Sequence, residues 1–320
     1  MPPPEPSHNR LRVVADALNV RRTPSLRGSI IGLLRRNDIV EGLESENAAW
    51  QKVQKGDMIG WSSRRHLVPF EPRAPSGRFD EISKIASTSA IAHYKWKDRG
   101  VAPLGYTNGM ALVFASVYCK LKAGDPAAME ISKADTGNRN VDALAWYAQE
   151  FRRAGMDNEG SGVSTLRHVF VLLFGLGMRE SSGRYCEGRD RSARNTTAAS
   201  AEAGLFQTSY NATRAHPRLQ QIFEQYLANP SDFVDVFKKG VRCTASDLEN
   251  FGSGRGKEFQ RLSKECPAFA TEFAALGLRV IRAHWGPITR REVEIRPECN
   301  TMLLEVQHAV DTLDLCPELI

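Results

Sequence analysis

The sequence predicts a multidomain protein in which a small all-β barrel precedes a mostly α domain with a short β segment. Residues 11–70 contain short β-branched and aromatic runs with a turn every eight to ten residues, which is typical of a small barrel. Residues 71–78 contain two prolines, a glycine and no large apolar residue, as expected of a linker. Over residues 79–320 the apolar residues recur at helical spacing, which predicts the α domain.

The barrel is predicted to follow an N-terminal tail formed by residues 1–10. Its strands are expected at short runs that favour extended backbone, namely Leu11–Val14, Leu18–Arg21, Ile30–Leu33, Asp38–Glu41, Trp50–Val53 and Ile59–Trp61. Between these runs lie residues that form turns, such as Pro24-Ser25 and Lys55-Gly56-Asp57. Strands this short close over few side chains, so the predicted barrel is small.

Several segments of the barrel carry a family resemblance. They are Leu18-Asn19-Val20-Arg21, Ile31-Gly32-Leu33-Leu34, Trp50-Gln51-Lys52-Val53, Gly60-Trp61 and His66-Leu67-Val68. Together they resemble the bacterial SH3-type module. The resemblance implies an SH3-like domain that binds peptidoglycan and accompanies cell-wall hydrolases or other envelope proteins. A spacer or a protein-docking module is the alternative.

The α domain is predicted to contain about eight helices and one polar interruption near residues 183–203. The helices are expected where apolar residues have helical spacing, at residues 82–93, 113–121, 143–152, 164–178, 216–229, 232–239, 267–284 and 300–313. Ser161 and Ser164 are suitable caps for the helix that begins near residue 164. Tyr106-Thr107-Asn108-Gly109 is predicted to be a polar turn.

Composition and charge exclude some classes of protein. The chain has 320 residues, of which 42% are hydrophobic and 25% charged, as in ordinary globular domains. The longest apolar run, Val169–Met178, has ten residues, about half the length of a bilayer-spanning helix, so no membrane span is predicted. Residues 1–78 carry 13 basic and 8 acidic side chains, and such a surface attracts polyanions without choosing among them.

The cysteines bear on the compartment. All six lie beyond residue 78, and none has the spacing of a structural zinc site. An even number of cysteines predicts up to three disulfides and an oxidising compartment, whereas six buried thiols in a cytosolic protein are the alternative. Residues 1–6 lack the apolar segment of a signal peptide. We therefore expect a secreted, periplasmic or wall-associated protein whose signal has been removed or which is exported by another route.

A candidate catalytic acid stands at the end of the apolar run Val169–Met178. No face of this helix is polar, so protein must surround it, and Arg179-Glu180-Ser181 follows directly. A carboxyl at the mouth of a buried helix is partly desolvated, which raises its pKa as general acid catalysis at neutral pH requires. The alternative is that Glu180 forms a surface ion pair with Arg179 or Arg184.

A second motif extends this interpretation. Gly204-Leu205-Phe206-Gln207 follows Glu180 after some twenty-five residues. Over about residues 164–215 the chain resembles the lysozyme-like superfamily, and most of all goose-type lysozymes and lytic transglycosylases, where Gly-Leu-Met-Gln follows the acid. The resemblance implies that Glu180 protonates the glycosidic oxygen and that the Gly-Leu-Phe-Gln strand lines the sugar cleft. It also implies substrate contacts by residues of this stretch: Gln207, Ser209, Tyr210 and Asn211.

The second catalytic carboxylate is less defined, because Ser209 stands where goose-type lysozymes have aspartate. The candidates are Glu202, then Asp190, then Glu187. Glu202 follows Glu180 by 22 residues, an offset similar to that of the second glutamate in plant-type chitinases of this superfamily. Asp190 lies in the intervening loop, where a base that activates water could be placed. The alternative for each is a solvated loop charge.

Together these features predict a muramidase, a hydrolase that cleaves the β-1,4 bond between the aminosugars of peptidoglycan. The open alternatives are a lytic transglycosylase, a chitinase, or a non-catalytic wall-binding adaptor. The sequence has no phosphate loop and no His-Glu-x-x-His helix, so we expect no cofactor and no metal. The expected partner is peptidoglycan, without nucleic acid, and the expected state is a monomer. Trp285 is expected to pack in the core, with stacking on sugar as the alternative.

Overall fold

The computed structural model describes residues 10–15, 17–35, 38–43, 49–69, 77–191, 196–230 and 233–320. The chain divides into two compact units, residues 1–74 and 75–320. Residues 1–9 of the predicted tail and residues 71–76 of the predicted linker lie outside the described part of the chain. The last two residues of the predicted linker, Gly77 and Arg78, already belong to the first helix of the second unit.

The N-terminal unit is an antiparallel sheet. Among the described residues of this unit the strands are β1 (Arg10–Val13), β2 (Ala17–Arg21), β3 (Ile30–Arg35), β4 (Ile39–Gly42), β5 (Trp50–Lys55), β6 (Met58–Ser63) and β7 (Leu67–Pro69). Their order is β3-β2-β6-β5-β4-β1-β7, and a 3₁₀ turn at Arg64–His66 precedes β7. The prediction of an all-β, SH3-like N-terminal fold is confirmed.

Alternation along the strands builds the core of this unit. Successive side chains of a strand point to opposite faces, so in β1 and β2 every second residue is buried. The buried side chains form one apolar cluster, consisting of Leu11, Val13, Leu18, Val20, Leu34, Val40, Val53 and Leu67. The basic residues between them are left facing outward, and Arg10, for example, is exposed.

The C-terminal unit is mostly helical. Its helices in chain order are α1 (Gly77–Thr88), α2 (Leu104–Lys122), α3 (Pro126–Ile131), α4 (Ala143–Trp146), α5 (Ala148–Arg153), α6 (Val163–Ser181), α7 (Pro217–Ala228), α8 (Val234–Phe237), α9 (Ala245–Leu248), α10 (Gly254–Glu265), α11 (Pro267–Val280), α12 (Gly286–Thr289), α13 (Pro297–Leu313) and α14 (Cys316–Leu319). Two strands, β8 (Lys95–Trp96) and β9 (Gly100–Val101), form a hairpin. Short 3₁₀ turns occupy Ala90–His93, Tyr210–Ala215 and Arg282–His284. The predicted mostly α class with a short β segment is therefore confirmed, and none of the described helices is both long and apolar enough to cross a bilayer.

Two local predictions are wrong. Tyr106-Thr107-Asn108-Gly109, predicted to be a polar turn, is buried in the first turns of α2. The Tyr106 hydroxyl donates to the carbonyl oxygens of Leu173 and Phe174, at 3.2 and 2.8 Å, so this polar group has partners inside the core. The serines predicted to cap α6 do not do so, because the capping position is Gly162.

The helix α6 runs through the centre of this unit. Its residues from Thr165 to Met178 are all buried, as the apolar run predicted. Gly175 allows a close approach, because a Cβ there would lie 2.6 Å from the carbonyl oxygen of Glu294. The chain segment before α13 can therefore pack directly on the α6 backbone. This contact helps to fix the end of the helix that carries Glu180.

Two disulfides close the C-terminal unit. Cys119 of α2 is bonded to Cys316 of α14, and Cys186, in the loop after α6, is bonded to Cys243. Cys266 and Cys299 are buried outside these bonds. The pairs are 197 and 57 residues apart in the chain, so each bond restricts a large loop of the unfolded chain.

This pairing predicts the outcome of thiol titration. Denatured protein that has not been reduced should expose two reactive thiols, and six after reduction. Replacing Cys119 and Cys316 together by serine should lower the free energy of unfolding by about 2–5 kcal/mol, measured by urea denaturation. The double replacement of Cys266 and Cys299 by alanine is the control and should leave the number of disulfides unchanged. Six reactive thiols before reduction would contradict the pairing.

Candidate functional site

Glu180 lies in the last turn of α6, where the buried helix reaches the surface. The next residue, Ser181, is buried, and its hydroxyl donates to the carbonyl oxygens of Gly177 and Leu205, at 3.0 and 2.8 Å. Leu205 belongs to the Gly-Leu-Phe-Gln motif. One serine thus joins the end of the helix to the segment that the sequence predicted to lie beside it.

That motif is a turn, and its prediction as a strand is wrong. Ala203 and Thr208 form an isolated antiparallel bridge around it. Gly204 and Gln207 have positive φ angles of 75° and 46°, values that extended strands do not adopt. The motif is therefore a tight reversal whose two flanking residues are joined to each other by one bridge.

Trp285 packs under the turn at Gly204–Gln207 and binds its backbone. It is 2% exposed, and its Nε1 donates to the carbonyl oxygen of Phe206 at 2.8 Å. A buried indole N–H needs such a partner. The burial of Trp285 agrees with the expected packing in the core. Its indole N–H holds the turn by binding the backbone carbonyl of Phe206.

The predicted substrate contacts fall into two groups. Gln207 is 8% exposed, and its Nε2 donates to the carbonyl oxygen of Gly204 at 3.1 Å, so the side chain closes its own turn. Ser209 is buried and donates to Asn211 Oδ1 at 2.6 Å, and Tyr210 packs against the ring of Phe223. Among these four residues the exposed one is Asn211. Their roles in substrate binding stay predictions.

The environment of Glu180 is that of a proton donor. Burial, reinforced by the negative charge of Glu202, raises the pKa of the Glu180 carboxyl to about 8, against the opposing charges of Arg99 and Arg290. The side chain is therefore largely protonated at neutral pH. This is the protonation state that a general acid must have before it acts.

The two arginines considered as surface partners of Glu180 are engaged elsewhere. Arg179 Nη1 donates to the carbonyl oxygen of Lys97 at 3.3 Å, and its Nη2 lies 3.6 Å from Glu292. Arg184 lies 3.0 Å from Glu187 and 2.8 Å from Asp247.

The three candidates for the second carboxylate differ in position. Glu202 is half-buried, and among the surrounding charges it has the largest effect on the pKa of Glu180. Glu187 forms the ion pair with Arg184. Asp190 is exposed and is not among the charges that shift Glu180 most. Of the three candidates, Glu202 is therefore the one whose charge acts most strongly on Glu180.

A rim of charged residues near Glu180 was missed by the sequence reasoning. Arg290 donates twice to Glu292, at 2.7 and 3.0 Å, and this contact lowers the pKa of the Glu292 carboxyl. The charges of both residues act on Glu180. They lie 110 and 112 positions further along the chain, in a charged run without any recognisable motif. Among the described residues, no cluster of three or more His, Cys, Asp or Glu side chains is arranged to hold a metal ion.

Comparison with known proteins identifies the first unit. Residues 16–68 match the bacterial SH3 domain family, so the chain carries a bacterial SH3 domain, which suggests cell-wall binding. No curated protein and no solved structure matches the chain significantly. The resemblance of the helical unit to lysozyme-like proteins therefore rests on the residues described above.

Proposed function

We propose that this protein is a peptidoglycan hydrolase that cleaves the β-1,4 bond between aminosugars by general acid catalysis. The observation that carries the proposal is the state of Glu180. This carboxyl lies at the end of a buried helix and has a pKa of about 8, raised by burial and by a second carboxylate, Glu202. Glycosidases typically use two carboxyl groups in different environments: one has a raised pKa and donates a proton, and the other stays ionised and acts as base or nucleophile.

In the proposed reaction Glu180 donates its proton to the glycosidic oxygen as the bond to the anomeric carbon breaks. Positive charge then develops on the sugar ring, as in an oxocarbenium ion. Glu202, in the ionised form, either directs a water molecule or attacks the anomeric carbon. The Ser181 hydroxyl bond to Leu205 links the elements that carry the two carboxyl groups, which favours a constant separation between them.

The remaining features are consistent with work on the cell wall. A bacterial SH3 domain at residues 16–68 would hold the enzyme on its polymer, and two disulfides suit an extracytoplasmic compartment. We propose that the enzyme acts as a secreted, periplasmic or wall-associated monomer. The partner is the peptidoglycan glycan strand.

Product analysis tests the proposal. Purified peptidoglycan and, in a separate reaction, chitin are digested with the full chain, and the fragments are identified by mass spectrometry. Reducing ends are expected from a muramidase. Anhydro ends would instead show a lytic transglycosylase, which closes a ring without water. Fragments from chitin alone would show a chitinase, and binding without any fragments would show a non-catalytic adaptor.

The role of the second carboxylate can be tested by two matched replacements. Glu202→Gln should lower the cleavage rate by at least ~100-fold, since it removes the carboxylate that directs water to the anomeric carbon or attacks it as positive charge develops there. Asp190→Asn should stay within about twofold of the wild type, because Asp190 is exposed. Rates are measured on soluble glycan oligomers.

A second readout separates catalysis from a loss of fold. Removing the negative charge of Glu202 should lower the pKa of Glu180, because that charge raises it. Carbon-13 NMR titration of the Glu180 carboxyl detects this shift even in an inactive variant. If Asp190→Asn lowered the cleavage rate more than Glu202→Gln does, Asp190 and not Glu202 would be the second catalytic carboxylate.

A further inference from the structure

The β8–β9 hairpin places one arginine beside the end of α6. The hairpin is tight, with Asp98 at a positive φ of 59° and the backbone N–H of Arg99 donating to the carbonyl oxygen of Trp96 at 3.1 Å. Trp96 is buried and anchors the hairpin. Arg179 of α6 donates to the Lys97 carbonyl oxygen. The hairpin turn is therefore fixed on the last turn of the helix that carries Glu180.

Arg99 itself reaches the residue that ends this helix. Its Nη1 lies 3.4 Å from the hydroxyl oxygen of Ser182, two residues after Glu180. The positive charge of Arg99 acts on both Glu180 and Glu187. The guanidinium is exposed and lies where α6 passes into the following loop, at the mouth of the candidate site.

Unlike the neighbouring arginines, Arg99 is not in an ion pair with a carboxylate among the residues that the structure describes. Arg179 and Arg290 both lie against Glu292, and Arg184 lies against Glu187 and Asp247. For Arg99 no carboxylate lies within ion-pair distance in the described part of the chain, and the guanidinium donates to a neutral hydroxyl, that of Ser182. A guanidinium has five N–H donors, so most of those of Arg99 are available to a ligand.

We propose that Arg99 is a substrate-binding residue that takes a carboxylate carried by the glycan, so that the site selects acidic aminosugar polymers over neutral ones. The proposal rests on the proposed function for its substrate. The planar guanidinium matches a carboxylate in a two-point contact. The negative charge of Glu202, which also acts on Glu180, would repel an anionic polymer, and Arg99 offsets that repulsion at the point of contact.

Two sources of the carboxylate exist in peptidoglycan. Every second sugar carries a lactyl ether, which ends in a carboxylate when the peptide has been removed. When the peptide is present, its own side chains and terminus supply carboxylates. Chitin has the same linkage and acetylated aminosugars but carries no carboxylate. These three polymers therefore separate recognition of charge from recognition of the sugar backbone.

The experiment compares Arg99→Gln, Arg99→Lys and the control Arg153→Gln in the full chain. Arg153 is an exposed arginine of α5, so its replacement changes net charge equally. Cleavage rates are measured on three soluble oligomers of equal length: chito-oligosaccharides, peptide-free peptidoglycan glycan, and the glycan with its peptides. Binding of the same oligomers is measured by calorimetry in the Glu180→Gln background, where cleavage is not expected.

Arg99→Gln should weaken binding and lower cleavage of the acidic oligomers by about tenfold, the range for loss of a charge-assisted hydrogen bond, and change both by less than about twofold for chito-oligosaccharides. Arg99→Lys should fall between the wild type and Arg99→Gln, and Arg153→Gln should match the wild type. A loss confined to the peptide-free glycan would identify the lactyl carboxylate as the source, because that carboxyl is an amide when the peptide is attached. A loss on both acidic oligomers would show that Arg99 takes a carboxylate from either source. A loss confined to the peptide-bearing oligomer would identify the peptide.

Equal losses on neutral and acidic oligomers would overturn the proposal, because an effect of Arg99 on the pKa of Glu180 alone must act on every substrate alike. The proposed function fails in a different way. If the wild type cleaves none of the three oligomers while Arg99→Gln still selectively weakens binding of the acidic ones, Arg99 binds carboxylates but the chain is not a hydrolase.

Discussion

Replacement of Glu180 by glutamine should abolish glycan cleavage while the protein stays folded. Glutamine has the same shape but cannot give up a proton, and loss of general acid assistance lowers rates by about 10²–10⁴-fold. Clearance of a peptidoglycan suspension measures the effect, and circular dichroism confirms the fold. A variant that keeps more than about a tenth of the wild-type clearance would remove Glu180 from the mechanism.

The pH dependence of the wild type should report the same group. In the proposed mechanism the active form of Glu180 is protonated, and burial raises the pKa of this carboxyl to about 8. The cleavage rate on soluble oligomers should therefore fall as the pH rises through about 8. An alkaline limb near the ordinary pKa of a glutamate would contradict the buried, proton-donating state.

The stability of the fold should also fall as the pH rises. Glu180 is neutral in both the folded and the unfolded chain below its ordinary pKa of 4.5, and between 4.5 and about 8 the folded state binds the proton more tightly. The wild type therefore loses stability as the pH rises through this interval, because a buried carboxylate must form. Glu180→Gln removes that group, so it should melt at a higher temperature than the wild type at pH 9 and at a similar one at pH 4. Glu305→Gln, at an exposed position of α13, is the control and should follow the wild type.

Removal of the SH3 unit should separate wall binding from chemistry. Residues 75–320 form a compact unit of their own, so this fragment should cleave short soluble glycans as fast as the full chain. On intact sacculi its apparent affinity should fall by about 10²-fold or more, because the second contact no longer acts at high effective concentration. Sedimentation with sacculi and turbidity clearance measure the two effects.

The complementary experiment tests the isolated unit of residues 1–74. It should sediment with sacculi without cutting them, and less so at high salt, where exposed charges are screened. If the fragment 75–320 sediments and clears sacculi as well as the full chain does, the SH3 unit does not target the enzyme. It would then be a spacer or a docking surface for another protein.

Much of the fold could be predicted because its signals are local. Alternation of apolar residues placed the strands of residues 11–70 close to their observed ends, since each strand buries one face. The unbroken apolar run before Glu180 predicted a buried helix for the same reason. Where burial does not follow a pattern, prediction failed: Tyr106 to Gly109 are polar or small yet buried. The Tyr106 hydroxyl can be buried because it donates to backbone carbonyl oxygens of α6.

The candidate site was predicted only in part, because its members come from distant parts of the chain. Glu180 was proposed from its position at the end of an apolar run, and Glu202 from its spacing to Glu180. Arg99 and Glu292 lie 81 residues before and 112 residues after Glu180, and only the packing of the hairpin and of the segment before α13 places them there. The turn at Gly204–Gln207 was mistaken for a strand, since a residue such as Gln207 gives no sign in the sequence of a positive φ.

The two disulfides are nested, since the bond between Cys186 and Cys243 lies within the segment closed by Cys119 and Cys316. A protease that cuts the backbone once between residues 119 and 316 therefore opens a ring without releasing a piece. Both new ends stay tethered, and on an electrophoresis gel run without a reducing agent the nicked chain would migrate as one species. Exposed arginines such as Arg191 offer trypsin-like proteases a cutting site inside both rings. A protein with this covalent topology can be nicked by proteases and still remain one molecule.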